Sequence, residues 1–190
     1  MSRLKTFAAV VLAATLPAMA QAADFNLSGG SLLGEATATA TFSSGGIGLN
    51  ITANSGGSSL DVVRLNDGIG VDTGGLDSEG IGNGDFLTLT FSQAVNLSSL
   101  KVARWDFTDR ATLSWAGGSR ALVGDGIVST DTETLSGVVG SVFTLTGTSL
   151  GTTFRLNGLT AVAAVPEPST YALMGLGLVG IAAVRRRRAR

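Results

Sequence analysis

The chain has 190 residues, of which 27 are glycine, and it contains neither histidine nor cysteine. Without those two residue types a Ser-His-Asp triad, a thiolate nucleophile, a histidine-ligated zinc site and a disulfide are all excluded. The formal net charge of −1 averages unequal parts, because seven basic residues lie in two short terminal segments and thirteen acidic residues lie between those segments. The acidic middle disfavours nucleic acid and anionic lipid headgroups as partners.

The first 22 residues have the pattern of a secretory signal peptide. Two basic residues precede a ten-residue apolar run that begins at Phe7, and a proline ends the run. Ala20 and Ala22 supply the small residues that signal-peptide cleavage requires, and we expect cleavage after Ala22. The alternative is an uncleaved anchor, for which the apolar run is short. The sequence therefore predicts export, with a signal peptide at 1–22.

Residues 23–164 form one predicted domain, built of strands. Apolar and polar side chains alternate in EATATATFS (35–43) and in FLTLTFS (86–92), which is typical of antiparallel strands with one buried face. The other predicted strands are GIGLNITA, SLDVVRL, LSSLKVAR, ATLSWAG, SVFTLTG, TTFRLNG and LTAVAAV. Glycine-rich breaks supply turns, and no helical period occurs between the termini. We predict an all-β fold, an antiparallel two-sheet sandwich of jelly-roll type, flanked by an N-terminal signal helix and a C-terminal hydrophobic helix.

Acidic residues concentrate in two stretches of this domain, the glycine-rich segment 66–85 and WDFTD at 105–109. Carboxylates and loop carbonyls are the ligands that calcium prefers, although the EF-hand spacing and a repeated calcium-binding nonapeptide are both absent. The alternative is that these acids solubilise turns and accept bonds from nearby backbone amides. If calcium binds, its ligands come from Asp72, Asp77, Glu79, Asp85, Asp106 and Asp109.

The sequence of residues 23–164 gives little support for a catalytic site. A glycosidase-type carboxylate pair and a serine-lysine dyad are the remaining options, but Lys101 is the one lysine of residues 23–164 and nothing in the sequence pairs two carboxylates. We therefore expect no enzyme activity. Trp105 and Trp115 are the aromatic candidates for stacking on sugar rings, but the alternation of ATLSW places Trp115 on the core side, and core positions are the prediction for both.

The last 26 residues, VPEPSTYALMGLGLVGIAAVRRRRAR, differ from everything before them. Fourteen uncharged residues run from Tyr171 to Val184, and a helix without a polar face must be buried in protein or in lipid. Such a helix is about 21 Å long, less than the roughly 30 Å of a bilayer core, although flanking arginines extend its reach. A membrane anchor, a core helix and a sorting signal are the three alternatives for residues 165–190.

This terminal segment resembles the PEP-CTERM sorting domain of Gram-negative bacterial proteins. The residues that carry the resemblance are Val165, Pro166, Glu167, Pro168, Arg185, Arg186, Arg187 and Arg188. The resemblance implies recognition by exosortase, an integral-membrane processing enzyme, with transient insertion in the inner membrane and final delivery to the cell surface or the extracellular matrix. Residues 60–118 are more loosely similar to the extracellular domain of some PEP-CTERM surface proteins.

Together these features predict an exported, non-enzymatic surface or matrix β-sandwich protein without a cofactor. The alternative is a calcium-dependent carbohydrate-binding module with the same sorting signal and an extracellular polysaccharide as its partner.

Overall fold

A computed structural model describes residues 21–29, 36–74, 79–126, 129–150 and 153–164, together with the isolated positions 174, 175, 177, 178, 181 and 185. Its strands are β1 (Ala22–Asn26), β2 (Ala36–Thr37), β3 (Ala40–Ser44), β4 (Ile47–Ser55), β5 (Ser58–Leu65), β6 (Gly68–Asp72), β7 (Asp85–Trp105), β8 (Arg110–Trp115), β9 (Gly118–Val123), β10 (Ser129–Thr134), β11 (Val139–Gly147) and β12 (Arg155–Ala163). The pairings between these strands are antiparallel, and the described part of 21–164 contains no helix, so the all-β prediction is confirmed. The predicted terminal helices lie almost wholly outside the described residues.

The 21-residue strand β7 organises the sheet. Its first half pairs with β4 and β11, and its second half pairs with β12 and β10. The longest path through the hydrogen-bonded strands runs β1-β12-β6-β5-β4-β7-β11-β8-β9. Because β7 touches four neighbours, it holds both ends of the domain together.

The buried face of β7 changes phase twice along its length, near Ser98 and again after Val102, where Ala103 and Trp105 are buried at odd positions. Leu87, Leu89 and Leu97 are buried at odd positions, whereas Leu100 and Val102 are buried at even positions. The first change falls at Ser98, where the pairing with β12 also shifts its register. A β-bulge supplies the extra residue that such a change of phase requires.

Most predicted strand interiors are confirmed, but their ends differ. EATATATFS is not one strand, because it divides into β2 and β3 and leaves Ala36 exposed instead of buried. FLTLTFS and LSSLKVAR belong to the single strand β7, since the residues between them include neither glycine nor proline. TTFRLNG and LTAVAAV likewise share β12. Four strands, β1, β6, β9 and β10, were not predicted.

Its glycine residues explain why β6 was not predicted from apolar–polar alternation. Gly68, Ile69, Gly70 and Val71 are all buried, so the strand has no polar face. A Cβ atom on Gly70 would lie 2.8 Å from the Cα atom of Gly80. The glycine is therefore required by the close approach of the next chain segment.

The core is apolar and contains two aromatic groups. Phe91 packs edge-to-face against Phe25 and Phe143, at ring-centroid distances of 5.9 and 5.7 Å. Trp105 is fully buried and packs edge-to-face against Phe154 at 4.8 Å. The prediction of a core position is thus confirmed for Trp105.

Candidate functional site

The predicted sorting and cleavage residues lie mostly outside the part of the chain that the structure describes. Those outside it are Ala20, Val165, Pro166, Glu167, Pro168, Arg186, Arg187 and Arg188. Ala22 is the first residue of β1 and pairs with Val162 of β12. At the other end β12 stops at Ala163, and the N–H of Ala164 donates to the carbonyl of Ala94 at 2.9 Å. The folded body therefore reaches the residue directly before the predicted sorting segment.

Two members of the predicted calcium pool accept hydrogen bonds inside turns. Asp72 ends β6, and its Oδ1 accepts from the N–H of Gly74 at 2.9 Å. Asp85 begins β7, is buried, and accepts from the N–H of Gly82 at 2.9 Å. Glu79 lies beside β12, where its backbone carbonyl accepts from Nε of Arg155 at 2.8 Å. Asp77 falls outside the described residues.

Asp106 and Asp109 share the turn between β7 and β8. Asp106 Oδ1 accepts from both the N–H and the hydroxyl of Thr108, at 2.7 and 2.5 Å. These bonds favour the ionised carboxyl and hold the pKa of Asp106 below its usual range. Asp109 is fully buried, and its Oδ2 accepts from the N–H of Asp106 at 2.9 Å. The structure thus brings Asp106 and Asp109 together in one turn, where both carboxylates accept hydrogen bonds from groups of that turn.

Across the described ranges no three acidic side chains converge on a point where a metal ion could be held. Asp72, Asp85 and the Asp106–Asp109 pair lie in three separate turns, and their carboxylates bond to backbone amides or to a hydroxyl, as the solubilising-turn alternative expects.

Sequence reasoning missed an ionic cluster around Asp67, in the turn between β5 and β6. Arg104 Nε donates to Asp67 Oδ2 at 2.8 Å, and Arg155 donates to Oδ1 of the same carboxylate. Burial opposes ionisation of Asp67, but the bonds from the two guanidinium groups outweigh it and lower the pKa. The signal in the sequence is Arg155, a charged residue between Phe154 and Leu156 at the start of β12, because a buried charge needs a partner.

The backbone has an unusual conformation at Arg104, one of the two partners of Asp67. Arg104 has a φ of 59°, the one positive value among the described non-glycine residues. It lies where the pairing of β7 with β10 shifts register, between Ser129 and Asp131. The left-handed conformation belongs to this bulge, and the ion pair with Asp67 accompanies it.

Two surface depressions lie over different sets of strands. One, of about 420 Å³, crosses β1, β12 and β7 and includes Asp24, Lys101 and Thr160. Here the Thr160 hydroxyl donates to Asp24 Oδ1 at 2.6 Å. The second, of about 410 Å³, lies between β8 and β11 and carries no charged side chain. Its lining residues are Ser114, Trp115, Ala116, Gly140, Ser141, Val142 and Thr144.

Trp115 contacts both the core and a surface depression. Its side chain is half-buried and packs against the core, in keeping with the predicted core side. It also lines the second depression, and the residue is partly exposed. Of the two tryptophans, Trp115 alone is therefore accessible to a ligand.

Comparison with known proteins gives one match and one negative result. The family described as PEP-CTERM protein-sorting motif matches residues 164–188, and no curated protein matches the chain. None of the helical positions that the structure describes belongs to a helix with the length and apolarity of a membrane span. The match begins at the first residue after β12 and ends within the arginine run. The chain is thus an exported protein that carries a PEP-CTERM protein-sorting motif, the signal for processing by exosortase.

Proposed function

We propose that this protein is a non-enzymatic component of the cell surface or extracellular matrix of a Gram-negative bacterium, released there by exosortase. The observation that carries the proposal is the sorting motif at residues 164–188, directly after the last strand of a folded β body. The signal-peptide pattern of residues 1–22 supports export by an independent route.

The apolar stretch after Pro168 acts as a temporary anchor in the inner membrane. Met174, Leu178 and Ile181 follow one another at intervals of four and three residues, which places them on one helix face. Their exposed fractions are 63, 62 and 68%, so the folded body does not cover them. Lipid is the remaining environment for such side chains, and the arginines that follow stay on the cytoplasmic side.

The body is a two-layer sandwich in this proposal. The pairing of β7 supports it, because the strand exchanges one pair of neighbours for another at the change of buried phase near Ser98. A strand that passes from one sheet to the other does so through a bulge or bend. The absence of histidine and cysteine from the whole sequence supports a binding or structural role over catalysis.

Mass spectrometry of the mature C-terminus tests the delivery step. In wild-type cells we expect a chain that ends near Pro166–Pro168 in the surface or medium fraction. Cells without exosortase should retain a chain that ends at Arg190 in the membrane fraction. The double variant Pro166→Ala/Glu167→Ala should behave like the exosortase deletion, whereas Glu133→Ala, on β10, should be processed normally. Equal amounts of the full-length chain in both strains would contradict the proposal.

Carbohydrate binding is the second candidate function of the body. The uncharged depression beside Trp115 favours it, because sugar-binding sites combine an aromatic surface with a few polar groups. The described carboxylates give calcium no comparable support.

A further inference from the structure

The signal-peptide pattern allows two cutting points. Signal peptidase requires small residues one and three positions before the bond that it cuts. Ala18 and Ala20 meet this requirement for the bond before Gln21, and Ala20 and Ala22 meet it for the bond before Ala23. The sequence pattern therefore does not distinguish the two bonds, whereas the fold of the first strand does.

The bond between Ala22 and Ala23 lies inside β1. Ala22 pairs with Val162 of β12, and Ala23 is a fully buried core residue. A Cβ atom on Gly45 would lie 3.2 Å from Ala23 Cβ and 3.7 Å from the carbonyl oxygen of Ala22. The carbonyl group that signal peptidase would attack thus lies beside the turn between β3 and β4.

The amide group of Ala23 takes part in the sheet. The N–H of Leu27 donates to the carbonyl of Asn157 at 2.9 Å, and the register between β1 and β12 has no shift. Hydrogen-bonded pairs recur at every second residue of an antiparallel ladder, so Ala23 forms such a pair with Ala161. A cut before Ala23 would replace this neutral N–H by a charged α-ammonium group at the edge of the core, where a charge is costly to bury.

Gln21 has a different environment. It is exposed and precedes the first residue of β1. A cut before Gln21 leaves the α-ammonium group in water and keeps the neutral N–H of Ala23. Strand β1 stays complete in that case, whereas a cut before Ala23 removes Ala22 and its pairing with Val162.

We propose that signal peptidase cuts between Ala20 and Gln21, and that the new N-terminal Gln21 closes into a lactam. The proposal rests on the export step of the proposed function. It places the mature N-terminus in water directly before β1, two residues earlier than a cut after Ala22 would place it.

Lactam formation needs no partner molecule. The α-amino nitrogen of Gln21 attacks the side-chain carbonyl carbon Cδ, and the new C–N bond closes a ring. The bond from Cδ to Nε2 breaks, and Nε2 leaves as ammonia with the proton that the α-amino nitrogen gives up. Gln21 is exposed and lies before the first paired residue of β1, so the ring can close outside the sheet. The product is a neutral N-terminus without a basic amine.

Mass spectrometry of the N-terminal peptide of the exported protein tests both steps. Glu35 is the first glutamate of the chain, so digestion after glutamate releases residues 21–35 as one peptide. We expect this peptide to be lighter than its sequence by one molecule of ammonia. A peptide that begins at Ala23, or one that begins at Gln21 with an intact amine, would overturn the proposal.

Two substitutions by the same residue separate the two bonds. Ala18→Gln removes a small residue that only the bond before Gln21 requires, and Ala22→Gln removes one that only the bond before Ala23 requires. Chains that begin at residue 21 should disappear in Ala18→Gln. They should persist in Ala22→Gln, the matched control, which changes an exposed position of the body. The reverse pattern would contradict the assigned bond.

Edman degradation provides an independent readout of the lactam, because the reaction requires a free α-amino group. The wild-type protein should be blocked until pyroglutamyl aminopeptidase removes the lactam, after which the sequence should start at Ala22. Gln21→Ala cannot form the ring and should be sequenced directly from position 21. An open N-terminus in wild type would rule the lactam out.

The C-terminal mass measurement distinguishes this proposal from the proposed function. A chain that ends near Pro166–Pro168 but begins at Ala23 would overturn the position of the N-terminal cut alone. A chain that keeps both Met1 and Arg190 would overturn the proposed delivery as well.

Discussion

Asp67 connects three parts of the chain that are far apart in sequence. Its partners Arg104 and Arg155 lie 37 and 88 residues away, on β7 and β12. The side chain of Arg155 is only 9% exposed, so its charge depends on this carboxylate and on the carbonyl of Glu79. A buried charge that loses its partner is costly, so Asp67 should contribute to the stability of the fold.

Asp67→Asn should lower the free energy of unfolding at pH 7 by about 1–2 kcal/mol. The value is at the low end for a buried ion pair because the Asp67 side chain is 34% exposed and solvent screens the interaction. Urea denaturation measures the change. Asp61→Asn, at an exposed position of β5, is the control and should change stability by less than about 0.5 kcal/mol. Equal effects of the two variants would remove the special role of Asp67.

The same carboxylate should make stability depend on acid pH. The pKa of Asp67 is lower in the folded chain than its usual value, so the folded state favours the ionised form. Its stabilising contribution is therefore complete above the unfolded pKa of about 3.9 and is lost as pH falls through the lower folded pKa. The stability difference between wild type and Asp67→Asn should be constant above about pH 5 and should shrink below pH 4. A difference that grows on acidification would contradict this assignment.

At the scale of elements, alternation predicted strand interiors better than strand ends. Leu87, Leu89 and Phe91 are buried as expected, because the period of two is a direct consequence of strand geometry. The join of FLTLTFS to LSSLKVAR was not predictable from alternation, since the bulge at Ser98 reverses the pattern within one strand. For the Asp67 cluster, the sequence marks Arg155 as a charge that needs a partner, but it does not identify that partner, because only the folded topology brings β6, β7 and β12 together.

The depression between β8 and β11 shows the same limit. The sequence correctly placed Trp115 on the core side of β8, but it could not show that this residue stays partly exposed. That depends on the cross-strand neighbours, which belong to β11, and on the glycine turn under the ring.

Strand β6 gives a test of close packing. In Gly70→Ala the new methyl group meets Gly80 Cα at 2.8 Å and Glu79 O at 2.9 Å, both of them backbone atoms. The backbone must move, and we expect a loss of about 1–3 kcal/mol in the free energy of unfolding. Gly48→Ala, in β4, meets only the side chain of Ser92 at 3.4 Å and should be neutral or slightly stabilising. Thermal denaturation of both variants checks the contrast, and a neutral Gly70→Ala would mean that β6 is not held so closely.

For the whole molecule, the turn geometry predicts that stability does not require a divalent cation. The carboxylates of Asp72, Asp85, Asp106 and Asp109 accept hydrogen bonds from amides and a hydroxyl of their own turns. Treatment with EDTA should therefore change the free energy of unfolding by less than about 0.5 kcal/mol, and millimolar calcium should not restore more than that. A rise of several degrees in the melting temperature on adding calcium would instead support a calcium-dependent body.

Strand β12 has a consequence for the timing of secretion. It is the last strand of the body, yet it pairs with the first strand, β1, and with the central strand, β7. During export the N-terminal strand emerges first and has no β12 partner until residues 155–163 have crossed the membrane. Contacts between such distant segments form late in folding. The sheet can thus close only when the sorting motif, which begins at residue 164, has reached the membrane, and hardly any spacer separates the last strand from that motif.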